Sequence, residues 1–116
     1  MNRWRTISLT GRPPVRIEES DWPVIAEALV NASDGSASWV TLKARRHDDG
    51  RVLVHGVLAR VGDGPARAGY LLERDADGEA ILAAMHSTVE DLPHVALIDW
   101  AKLEDQFVAA MPVVVI

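Results

Sequence analysis

The sequence predicts an α+β fold: an antiparallel sheet of three to five strands with helices packed on one face, in the order β-β-α-β-β-β-α-α. Three observations predict it. Residues 38–46 and 51–61 read as strands on either side of His47-Asp48-Asp49-Gly50, whose Asp-Gly pair is a hairpin signal. The last third of the chain spaces its apolar residues at helical intervals. Clusters of turn residues at 11–14, 31–35, 62–65 and 75–78 cut the chain into pieces of strand or helix length.

Each element follows in order. Residues 4–9 alternate Trp4, Thr6 and Ser8 with Arg5, Ile7 and Leu9, which predicts a short strand at a sheet edge. Gly11-Arg12-Pro13-Pro14 is expected to break it, because proline supplies no ladder donor. Val15-Arg16-Ile17 is then a very short strand. A first helix is predicted from Ser20 or Asp21 as N-cap, with Pro23 in the first turn and Glu18, Glu19 and Asp21 at the positive end of the helix dipole. Its apolar stripe is Trp22, Ile25, Ala26, Leu29 and Val30. In the hairpin, Val40, Leu42 and Ala44 share one face and Trp39, Thr41, Lys43 and Arg45 the other. Residues 51–61 are apolar on both faces, which places that strand centrally, and Gly56 in its middle marks a bulge or a close backbone approach. Residues 66–74 make a third strand. A second helix is predicted over 79–92, capped by Asp77, with Ile81, Leu82, Met85, Val89 and Leu92 as its stripe. A third is predicted over 94–110, built on Leu97, Trp100, Leu103, Phe107 and Val108.

The chain has 116 residues, which predicts one domain spanning residues 1–116. No apolar run approaches the roughly 18–20 residues that span a bilayer, and no apolar stretch follows the basic start as in a signal peptide. A cytoplasmic protein that binds no membrane is expected. With no cysteine there is no thiolate for catalysis or metal binding. The formal net charge of −5 opposes indiscriminate binding of polyanions. That value averages opposing blocks. Residues 1–17 carry four arginines and no acid, whereas residues 75–116 carry eight acids against Lys102 alone. The predicted strands are basic and the predicted helices acidic, so the molecule is expected to have two electrically distinct sides.

Two candidate surfaces follow. The first is acidic, with Glu90, Asp91, Asp99, Glu104 and Asp105, suited to a protein partner with a basic surface. The second is the basic strand face with Trp39, Lys43, Arg45 and Arg46, joined by Arg3 and Arg5, suited to stacking and neutralising a nucleic acid or to protein binding. Trp4 and Trp39 add aromatic surface of the kind enriched at interface hot spots, whereas Trp22 and Trp100 read as core. No cofactor, metal site or catalytic residue is expected. The four histidines lack a ligating spacing, His47-Asp48-Asp49 reads as a polar turn, and neither a nucleophile elbow nor a phosphate-binding glycine pattern occurs. A small enzyme of unknown class remains as an alternative. The apolar tail Val113, Val114, Val115 and Ile116 is expected to add a strand or to pair two copies in a homodimer.

Two resemblances bear on function. The order α-β-β-β-α within 20–91 resembles the double-stranded RNA-binding fold, but the last helix opens Asp77-Gly78-Glu79 where that family is lysine-rich. The stretches Leu9-Thr10-Gly11-Arg12-Pro13-Pro14-Val15-Arg16-Ile17, Trp22-Pro23-Val24-Ile25-Ala26-Glu27-Ala28 and Arg46-His47-Asp48-Asp49-Gly50-Arg51-Val52 resemble small uncharacterised proteins of bacterial plasmids and other mobile elements. Anti-CRISPR proteins are similar in size and acidic character. The resemblance implies an accessory gene in conflict with host defence, and together with the acidic block at 75–116 it leads to the expectation of a protein without enzymatic activity that blocks a host effector complex through its acidic surface. The alternative is a nucleic-acid-binding regulator using the basic face.

Overall fold

A computed structural model describes residues 3–32, 38–60, 62–94 and 98–111. The strands are β1 (Trp4–Leu9), β2 (Arg12–Glu18), β3 (Val24–Asn31), β4 (Trp39–Arg46), β5 (Val52–Arg60) and β6 (Asp63–Leu72). The helices are α1 (Gly78–Asp91) and α2 (Trp100–Ala110), and a short 3-10 turn spans Glu19–Asp21. The class is α+β, with antiparallel pairing throughout. β1 and β2 form a two-stranded sheet, and the other strands form a four-stranded sheet in the order β3-β4-β5-β6.

The α+β class, the β4–β5 hairpin and the C-terminal helices agree with expectation. The helix predicted from residue 21 does not form: β3 stands in its place. Burial along β3 alternates, with Ala26, Ala28 and Val30 inside and Glu27, Leu29 and Asn31 outside. The same residues satisfy a helical stripe only if Leu29 is buried, and it is 45% exposed. Seven backbone pairings with β4 replace the local helical preference, and the alanines leave room for α2 to pack on β3. The acids expected to cap that helix lie at the end of β2 and in the 3-10 turn instead. This removes the element order on which the likeness to the double-stranded RNA-binding fold rested.

Boundaries also differ, and β6 begins at Asp63, inside the expected turn. The prolines do not end the N-terminal hairpin: β2 begins at Arg12, and Pro13 and Pro14 fall where the register shifts in a strand paired on one side only. Proline is tolerated at such a place because no ladder donor is required. The last helix begins at Trp100, six residues later than expected, because the Asp99 carboxylate accepts from the Lys102 N–H at 3.0 Å and fixes the first turn there. The apolar tail Val113–Ile116, and with it the expected pairing of copies, lies outside the described residues.

The sheet separates two cores. On one face Val40, Leu42, Ala44, Val52, Val54 and Leu58 pack against Ile81, Met85, Val89, Leu103 and Phe107 of the helices. Gly56 belongs to this face. A Cβ there would stand 2.8 Å from Leu42 and 3.0 Å from Thr88, so of the two expectations at Gly56, a bulge or a close approach, the close approach holds, with α1 as the neighbour. On the opposite face the β1–β2 hairpin closes a smaller core of Ile7, Leu9, Ile17, Trp22 and Leu53. The hairpin reaches the sheet at Gly69, where Ser8 O would lie 2.7 Å from an added Cβ and the Thr10 N–H donates to Gly69 O at 2.9 Å. Trp22 is core as expected, Trp100 is half-buried, and Trp4 and Trp39 are exposed.

Candidate anion-binding cleft

The hairpin covers only part of the helix-free face. Strand register orders the remainder into rows. One row reads Glu27, Lys43, His55, Gly69 across β3 to β6, and the next reads Leu29, Thr41, Val57, Arg67. β1 passes over one side of these rows. Between them lies a cleft of about 230 Å³, to which β1 contributes Arg5, Thr6 and Ser8 and the sheet contributes Thr41, Lys43, His55 and Arg67. No carboxylate among the described residues lines it.

Two carboxylates neighbour the cations outside that lining. Glu19 pairs with Arg5 and lies 4.0 Å from Arg45, and Glu27 lies 4.0 Å from Lys43. The Arg5 hydrogen bond holds the Glu19 carboxyl below its ordinary value. Arg67 is exposed and has no ion-pair partner among the described residues. The hydroxyls of Thr6, Ser8 and Thr41 likewise have no hydrogen-bond partner among them.

His55 forms part of the cleft wall and is held from behind. The residue is 7% exposed, and its Nε2 accepts from Arg45 Nε at 3.1 Å. Arg45 also donates to the Trp22 carbonyl at 3.2 Å. Burial, reinforced by the Arg45, Lys43 and Arg5 charges, pushes the imidazole down to about 3. The ring is therefore neutral at pH 7, and since Nε2 accepts, its proton sits on Nδ1. That N–H has no hydrogen-bond partner among the described residues.

Of the residues predicted for the basic face, Trp39 and Lys43 lie on it. Arg45 does not reach solvent. At 4% exposure it is a buried strut between His55, Trp22 and Glu19, because the Glu19–Trp22 segment after β2 packs against its end of β4. Arg46 alternates to the helix side and is exposed at the end of β4. Arg67 and His55 were missed as site residues. Pairing β6 to β5 through Gly62 would have found Arg67, since it places that residue opposite Val57.

The predicted acidic surface is partly committed to the fold. Asp99 caps α2, the Asp91 carboxylate accepts from the Tyr70 hydroxyl, and Glu104 lies 3.5 Å from His86. The Asp91 bond pushes the Tyr70 hydroxyl up from its ordinary value. Glu90 and Asp105 are exposed with no partner among the described residues. The His47 turn is closed on itself, with Asp49 held by Arg51 at 2.7 Å and the Asp49 N–H donating to His47 Nδ1 at 3.1 Å. Among the described residues no helix is long and apolar enough to cross a membrane.

Fold and cleft together define a two-sheet α+β protein with a basic, donor-rich cleft on the helix-free face of its larger sheet. No family model matches this chain, and no curated protein or solved structure matches it.

Proposed function

We propose that this chain is a binding protein that takes a single-stranded, phosphate-bearing nucleic acid along the helix-free face of its sheet. The observation that carries the reading is the convergence of Arg5, Lys43 and Arg67 on one cleft without a lining carboxylate. Trp39, 40% exposed two residues from Thr41 on the same face of β4, offers a ring for base stacking. The whole-chain charge is negative, but no carboxylate among the described residues lines this cleft, and Arg5, Lys43 and Arg67 do.

Fluorescence anisotropy with a short labelled single strand tests this. Three cationic contacts predict a log–log salt slope of about −2, and removing one cation with Lys43→Ala lowers its magnitude by about 0.7. Trp39→Ala weakens binding about tenfold through lost stacking. Absence of binding at low salt would sink the reading.

A second reading rests on the opposite side. Glu90 and Asp105 on the helices have no partner among the described residues, which favours a partner protein with a basic surface. In that reading the chain is a mobile-element accessory protein that blocks a host effector assembly. Reversing both charges and finding unchanged capture of the assembly would remove it.

A further inference from the structure

We infer that the cleft is an end-recognition pocket, receiving the terminal phosphoryl group of a strand rather than its internal phosphodiesters. The inference rests on the strand-binding reading and sharpens what part of the strand is held.

Four observations point to a terminal phosphoryl group. The first is size. At about 230 Å³ the cleft is smaller than the roughly 300–1,000 Å³ of pockets that enclose a whole small ligand. It accommodates one compact group. The second is donor character. Arg5, Lys43 and Arg67 donate only, and the oxygens of a phosphoryl group accept only. The third is His55. Arg45 occupies its Nε2, so the ring has only the Nδ1 donor left to offer and no free acceptor. A cation or a neutral donor gains nothing there. The fourth is charge. Arg5, Lys43 and Arg67 line the cleft, with Arg45 behind them, and the neighbouring carboxylates Glu19 and Glu27 do not balance these cations. An internal phosphodiester carries one negative charge, whereas a terminal phosphate carries about −1.5 to −2 at neutral pH and three acceptor oxygens. The more highly charged terminal group gains more from that positive excess.

His55 and Arg45 act here as positioning residues. The Arg45–His55 hydrogen bond fixes the tautomer, and the buried guanidinium adds charge behind the ring without competing for the ligand. Arg67, exposed and unpaired among the described residues, is free to swing onto the phosphoryl oxygens.

The test compares three probes on the intact chain: single strands bearing a 5′- or 3′-phosphate, the same strands ending in hydroxyls, and inorganic phosphate. Anisotropy reads the strands, and long-range 15N–1H NMR reads the His55 ring. The pocket predicts that at least one phosphorylated end binds about tenfold tighter than its hydroxyl counterpart. Arg67→Gln brings that ratio close to one, while Arg12→Gln, on the hairpin strand away from the cleft, preserves it. His55 shows the Nδ1–H tautomer, and its signals shift on addition of inorganic phosphate. Equal affinity for phosphorylated and hydroxyl ends at both termini overturns the pocket and leaves strand binding standing. If no strand binds but inorganic phosphate still shifts His55, the pocket stands as a site for a free phosphoryl dianion and the strand-binding reading falls. If no strand binds and His55 does not respond, both are overturned.

Discussion

The two faces of the four-stranded sheet are made by the same strands and have opposite chemistry. On β4, Val40, Leu42 and Ala44 are completely buried against the helices, while Trp39, Thr41 and Lys43, each one residue away, meet solvent or the cleft. β5 repeats the contrast, with Val52, Val54 and Leu58 on the helix side and His55 and Val57 on the other. The period-two geometry of a strand keeps the apolar core and the polar, cleft-bearing surface apart on one backbone. The helix face needs apolar volume. The opposite face is half-closed by a small hairpin, and at the hairpin's margin it keeps charge and donors.

The largest expected effect breaks this contrast directly. Leu42→Ala removes a fully buried side chain from the helix-facing core and should cost about 2–5 kcal/mol in urea unfolding. Thr41→Ala, its neighbour on the same strand, should stay within about 0.5 kcal/mol and affect ligand binding instead. Similar costs at both positions would mean that the faces do not divide the labour as described.

A second effect tests how the hairpin is held over the sheet. Gly69→Ala places a methyl 2.7 Å from Ser8 O and 3.1 Å from His55 Cβ, so β1 must lift. A loss of about 1–3 kcal/mol is expected. In hydrogen exchange, Thr10 should lose protection while the β4–β5 pairings keep theirs.

How much of this was legible in sequence depends on the range of the forces involved. The β4–β5 hairpin was readable because its turn and its alternation lie within a few residues of each other. α1 was readable because Asp77 caps it and its stripe is local: the Asp77 carboxylate accepts from the Ala80 N–H at 2.8 Å. β3 was misread because its apolar residues fit both periods. Only the approach of α2 and the pairing with β4 decide for the strand. The cleft was half-legible. Lys43 and Trp39 alternate visibly, but the burial of Arg45 depends on the Glu19–Trp22 segment, more than twenty residues upstream, folding back over it. Arg67 and Lys43 meet across β5, a relation that no local pattern encodes.

The buried histidine sharpens the comparison through pH. In the unfolded chain an imidazole takes up a proton below about 6.5, whereas His55 in the folded protein resists down to about 3. Protons therefore favour the unfolded chain as pH falls below 6.5, and the stability present above that value is lost toward pH 3. The slope contributed is at most about 1.4 kcal/mol per pH unit. Glu19 and Asp49, held below their ordinary values of 4.5 and 3.8, lose stability in the same direction but only below those values. The interval between 6.5 and 4.5 therefore isolates His55 from those carboxylates. His55→Gln, whose side-chain oxygen can still accept from Arg45, should flatten the stability profile across that interval. An unchanged slope would show that the ring is not neutral in the fold.

The smallest expected effect concerns the edge of the sheet. β3 is an outer strand, and the Leu29 N–H points away from β4 to donate to Gln106 Oε1 of α2 at 3.2 Å. Val24 and Leu29 are both more than 40% exposed on this strand, the combination of open donors and apolar side chains that invites pairing with another chain. Gln106 blunts that edge with one hydrogen bond. Gln106→Ala should cost only about 0.5–1.5 kcal/mol, because water can replace the acceptor at an exposed site. The more telling readout is association: the variant should show a concentration-dependent rise in light scattering that the parent lacks, and adding Leu29→Lys should suppress it. If Gln106→Ala scatters no more than the parent, the edge is protected by the bulk of α2 and not by this side chain.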